Sequence, residues 1–100
     1  MPRIQIVIPH GHSQEDASQR LLGFMAVMKE QHRDNVSDLQ ETWSENRLDY
    51  SFRTFGLKVS GAVEVQTAQV ALRADLPLAA ALFKGKIEQE IRGALERVLR

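Results

Sequence analysis

Apolar and polar residues alternate with a period of two over much of this chain, and with a period near 3.6 in two longer stretches. Residues 3–8 are rich in β-branched types and close on Pro9, which predicts a first strand. His10-Gly11-His12 reads as a turn. Ser13 then takes the place of a helix N-cap, with Glu15 and Asp16 in the first turn, where the helix dipole favours negative charge. Asp16, three residues after Ser13, makes a short-armed capping box. From Gln14 to His32 a helix is predicted, because Ala17, Leu21, Met25 and Met28 recur at helical spacing. Leu22, Phe24, Ala26 and Val27 widen that stripe until residues 21–28 are apolar nearly all round, which a helix on the surface of a monomer seldom shows. Gly23 costs the helix about 1 kcal/mol relative to Ala, so close packing is expected at that point.

Arg33-Asp34-Asn35 breaks the helix, and four alternating stretches follow. Leu39, Glu41 and Trp43 define one strand, and Ser44-Glu45-Asn46 is turn chemistry. Leu48, Tyr50 and Phe52 form the clearest period-two pattern, up to a turn at Gly56. Val59, Gly61, Val63 and Val65 make the next strand, and Val70, Leu72 and Ala74 the last, after Gln66-Thr67-Ala68. Connections this short predict an antiparallel meander. Pro77 suits the first turn of a final helix, in which Phe83, Ile87, Ile91, Ala94 or Leu95, and Val98 share one face. Lys86–Glu90, Glu88–Arg92 and Glu96–Arg100 are opposite charges four apart on its wet side, and Arg97 and Arg100 complement the dipole. The expected fold is therefore α+β, ordered β-α-β-β-β-β-α: one domain over residues 1–100, an antiparallel sheet with two helices packed on one face.

Composition narrows the function classes. An apolar share of 43% suits a globular chain and excludes a disordered one. Thirteen Lys and Arg against 13 Asp and Glu leave no basic surplus for nucleic acid, and argue against purely electrostatic docking on anionic lipid. Zero net charge also removes the self-repulsion that opposes association. The absence of cysteine excludes disulfides, thiolate metal sites and a cysteine nucleophile, and suits a reducing compartment. The longest near-apolar run, Leu76 to Phe83, is interrupted by Pro77 and falls short of the roughly 20 residues a membrane span needs. A cytoplasmic protein is expected.

Candidate chemistry is sparse. His10 and His12, two apart, could share a metal only if a third ligand such as His32 converged on them. Ser13, a histidine and Asp16 contain the letters of a hydrolytic triad, but Ser13 is accounted for by capping. The carboxylate pairs Glu15-Asp16 and Glu88/Glu90 fall on polar helix faces, and Phe83-Lys84-Gly85-Lys86 lacks the glycine and Ser/Thr of a phosphate loop. Trp43, Tyr50 and Phe52 read as sheet packing before they read as a ligand platform. No catalytic residue, cofactor or metal is expected.

The ordered set of landmarks nevertheless resembles the polyhydroxyalkanoic acid system proteins, a bacterial family. The landmarks are a short strand leading to His10, Ser13 and Ala17 opening the helix, Trp43 at the end of the next strand, and Gly56 and Gly61 in the strand-turn-strand region. Leu76 follows, then a helix with Lys86, Ile87, Ile91, Leu95 and Leu99. His12 departs from the pattern, which has an apolar residue there. The resemblance implies a context in polyhydroxyalkanoate storage, at or near storage granules, and supplies no catalytic residues. The function expected in that context is a non-enzymatic accessory protein that acts by granule, protein or self-association, the last as a homodimer because residues 21–28 are apolar nearly all round and the chain has no net charge. The expected association surface comprises Leu82 and Phe83, in a Leu78–Phe83 stretch that Gly85 would let turn away from the helix, and Leu21, Phe24, Met25 and Met28 of the 21–28 stretch, which reads equally as buried core. The alternative is a small apolar-ligand-binding domain, with its pocket between the Ile87–Ile91 face and the Val59–Val65 strand.

Overall fold

Strict alternation in β1 (Arg3–Pro9) puts Ile4, Ile6 and Ile8 on one side of the sheet, fully buried, and the residues between them on the other. The structure, a computed structural model describing residues 2–100, continues with α1 (Gln14–Gln31), β2 (Val36–Ser44), β3 (Arg47–Thr54), β4 (Leu57–Val65) and β5 (Gln69–Asp75). A 3-10 segment, Leu78–Phe83, then leads into α2 (Lys84–Val98). The expected α+β order is therefore present. All strand pairs are antiparallel, in the order β1-β5-β4-β3-β2. Because β1 and β2 occupy opposite edges, α1 has to cross the sheet, and this crossing brings it onto the same face as α2.

The register lines up that face. Ile6, Leu72, Val63 and Leu48 are successive cross-strand partners, and Ala17 and Leu21 of α1 with Leu95 and Leu99 close over them as one core. The opposite face carries Arg47, Asp49 and Glu64, which pair with one another, as do Arg3, Asp75 and Arg73. An antiparallel sheet with one packed and one wet face needs this division.

Local signals explain the helix ends. The Ser13 hydroxyl accepts the Asp16 N–H at 3.0 Å, while the Asp16 carboxylate, instead of closing the box, pairs with Arg20. Gln14 donates to the Val65 carbonyl at 2.8 Å and anchors the start of α1 to β4. Lys29 pairs with Glu41 at 2.6 Å and anchors its far half to β2, where Glu41 is otherwise sheltered. Of the three charge pairs expected on α2, the structure forms Glu88–Arg92, at 3.8 Å.

Three expectations change. Gly23 faces open space, with nothing within 4 Å of where a side chain would begin, so it weakens α1 without allowing a close approach. The close approach is instead at Gly61, where an added Cβ would collide with the Arg73 carbonyl and lie 2.7 Å from the Tyr50 hydroxyl. The last helix does not begin at Pro77: residues 78–83 form a separate 3-10 segment, because only Ala80 of that run reaches the core. The stripe Ile87, Ile91, Leu95 and Val98 belongs to α2 alone.

Candidate association surface

Ser13, Asp16 and the three histidines, which could have suggested catalysis, are used by the fold. His10 accepts the His12 N–H on Nδ1 and donates from Nε2 to the Gln66 carbonyl at 3.1 Å. His12 stacks on it and donates from Nε2 to the Leu99 carbonyl at 2.9 Å, with Arg100 O at 3.1 Å and Asp16 facing Nδ1 at 3.3 Å. His12 thus ties the start of α1 to the end of α2. His32 caps α1 at its other end, away from both. Among the described residues no cluster of three or more His, Asp or Glu could hold a metal.

Tyr50 is the most perturbed neutral group. Its hydroxyl passes over Gly61, its cross-strand partner, and donates to the Arg73 carbonyl at 2.9 Å. Burial first, and the nearby Asp75 second, push its pKa up to about 12. Trp43 and Tyr50 pack on the core, and Phe52 stacks beside Tyr50, as sheet packing requires.

Two of the cavities among the described residues are open to solvent. One of about 500 Å³ lies between the β2–β3 and β4–β5 turns, lined by Gln14, Asn46, Arg47, Glu64 and Gln66 among others. The other, about 280 Å³, lies on the wet face of the sheet above Ala62 and Ala71. Neither lies between the Ile87–Ile91 face and Val59–Val65, where the structure packs those side chains against the core.

The outstanding feature is apolar side chains left in water. Leu78, Leu82 and Phe83 are 78%, 93% and 60% exposed, and Phe55 in the β3–β4 turn is 83% exposed. Phe55 and the 3-10 segment share one end of the sheet: β3 and β5 both run toward it, and Asp75 at the end of β5 pairs with Ser60, a few residues from the turn in β4. Leu82 and Phe83 are thus accessible, as association requires. Leu21 is corrected: it faces the sheet, is 3% exposed and belongs to the core. Phe24, Met25 and Met28 are half-buried, and Met25 packs on the core, so the inner part of the apolar stretch in α1 is spent on folding. Its outer part, Leu22 and Val27, is exposed.

Phe55 was missed by sequence reasoning, whereas Leu78 falls in the Leu78–Phe83 stretch expected to be exposed. For Phe55 the signal was present: Phe55-Gly56 is a two-residue hairpin connection, where a turn residue and not an aromatic is the ordinary choice.

Fold and surface together define a small α+β domain with one apolar end exposed and its histidines engaged in holding the chain. The chain belongs to the family of polyhydroxyalkanoic acid system proteins, whose family model matches residues 4–99. No curated protein and no solved structure matches it. Among the described residues no helix is long and apolar enough to cross a membrane.

Proposed function

We propose that the protein is a non-enzymatic accessory component of polyhydroxyalkanoate storage that attaches to granules through Leu78, Leu82 and Phe83. The observation that carries this reading is the outward projection of all three from a segment whose one inward residue, Ala80, is small. Folding alone gives no reason to place a Leu and a Phe side by side in water, where burying each elsewhere would contribute roughly 1.5–3 kcal/mol. A storage polyester offers an apolar surface, and the family places the chain in that system. Three such side chains can supply roughly 4.5–9 kcal/mol of adhesion if fully covered, which spans affinities from just under millimolar to below micromolar.

Co-sedimentation with protein-free polyester particles tests this. Wild-type protein is expected to bind at both low and high salt, because apolar burial is not screened. The Leu82→Ser/Phe83→Ser variant, with unchanged thermal unfolding, is expected to stay in the supernatant. Retention of that variant on the particles, or loss of wild-type binding in high salt, refutes the mechanism.

A further inference from the structure

The Phe55 turn breaks two local rules at once. Thr54 and Leu57 are paired across a two-residue connection, and both residues between them have positive φ, Phe55 at 52° and Gly56 at 77°. That is the backbone of a type I′ turn, whose first position favours Asn, Asp or Gly because a bulky side chain is strained there. Phe55 accepts the strain, yet at 83% exposure it gains almost no packing in return. Strain without local compensation marks a position kept for something outside the fold.

Charge around this end is equally selective. Arg53 pairs with Asp38, Arg3 and Arg73 with Asp75, and Arg92 with Glu88. Among the described residues Lys58, Lys84 and Lys86 form no ion pair, and these three adjoin the apolar tips: Lys58 next to the hairpin turn, Lys84 and Lys86 directly after Phe83. Three lysines without an ion pair thus stand beside the exposed apolar side chains, against Asp34 before β2 at the same end and Glu90 one turn along α2 from Lys86.

We infer that the β3–β4 turn is a second anchor beside the 3-10 segment, and that the surface both enter is an anionic phospholipid layer. This rests on the proposed attachment through Leu78, Leu82 and Phe83 and adds the chemistry of what they meet. The apolar residues project from two separate tips at one end of the molecule and line neither of the two solvent-open cavities, so a fluid layer can receive both. Lysines flanking inserted apolar groups match anionic headgroups over an acyl interior, whereas bare polyester offers them nothing.

Flotation with vesicles of phosphatidylcholine alone, or of phosphatidylcholine mixed with phosphatidylglycerol, tests the inference together with urea unfolding. Wild-type protein should bind the anionic vesicles at least tenfold more tightly. Each lysine at such a surface is worth about fivefold, so Lys58→Gln/Lys84→Gln/Lys86→Gln should weaken binding about 100-fold at low salt. Phe55→Asn should weaken it about tenfold or more while raising the urea midpoint, since Asn suits the turn. That opposite movement of stability and binding excludes misfolding as the cause. Equal binding to both vesicle types, or unchanged binding by Phe55→Asn, overturns the inference. Failure on vesicles with retained, Leu82/Phe83-dependent binding to polyester particles removes the lipid layer and leaves the proposed function standing. Failure on both removes both.

Discussion

Gly61→Ala should be among the most damaging single-methyl additions the protein can suffer. The new Cβ would meet the Arg73 carbonyl oxygen, would lie 2.8 Å from the Arg73 carbonyl carbon, and would lie 2.7 Å from the Tyr50 hydroxyl. The side chain could yield, but the backbone could not do so easily: Arg73 belongs to β5, held between β4 and β1 along its length. Overpacking of a rigid site costs about 1–3 kcal/mol, and loss of the Tyr50–Arg73 hydrogen bond adds about 1 kcal/mol. A loss of about 2–4 kcal/mol is expected, a large share of the 5–15 kcal/mol typical of a small domain. Urea denaturation, monitored by the single Trp, measures it. Tyr50→Phe separates the two causes. By itself it should cost about 1 kcal/mol, and added to Gly61→Ala it should restore little, because the backbone collision persists. A Gly61→Ala protein within 0.5 kcal/mol of wild type, or full rescue by Tyr50→Phe, would refute the reasoning.

Two further outcomes follow from side chains that hold the fold. Tyr50, with its folded pKa near 12 against an ordinary 10.0, contributes stability that is fully present below pH 10 and is lost between pH 10 and about 12. Relative to Tyr50→Phe, wild-type protein should lose about 1.4 kcal/mol by pH 11 in urea titrations, and absorbance should report the shifted ionisation cleanly because Tyr50 is the single tyrosine. His12→Ala removes the donor to Leu99 O and the contact with Asp16, so it should cost about 1–2 kcal/mol and speed amide exchange in the last turn of α2; unchanged exchange there would contradict the tie.

The architecture was legible because period dominates it. Leu48-Tyr50-Phe52 and Ile87-Ile91-Leu95 each carry one unmistakable repeat, and short turns left the meander as the simplest topology. The Ser13 cap was equally local. What failed was non-local. Whether Gly23 or Gly61 marked a close approach depended on which strand passed beside it, and only the register with β5 decides that. Residues 21–28 looked uniformly apolar, yet the path of α1 over the sheet turned Leu21 inward and left Leu22 and Val27 out. Residues 78–83 fitted a helical stripe with Phe83 as its first member, but the tether from β5 let only Ala80 reach the core.

The candidate surface was half legible for a related reason. The Leu78–Phe83 stretch, with Leu82 and Phe83, was suspected because one apolar stripe cannot both cover the sheet and meet a granule, an argument from supply and demand that the sequence carries by itself. Phe55 escaped it, since a lone aromatic after a clean strand reads as one more inward residue. Alternation along β3 places Leu48, Tyr50, Phe52 and Thr54 on the packed face, so Phe55 falls out of phase at the moment the chain turns. An aromatic at that position can neither continue the strand nor relieve the turn, and its exposure follows directly. The two segments share no sequence similarity and lie more than twenty residues apart. What joins them is the antiparallel register, which sends β3 and β5 in the same direction and delivers Phe55, Leu78, Leu82 and Phe83 to one end of the sheet. A domain of this size has several turns in which to place a strained aromatic, and that this one stands at the end bearing the other exposed apolar residues and three unpaired lysines is the strongest physical reason to regard that end as the working surface of the protein.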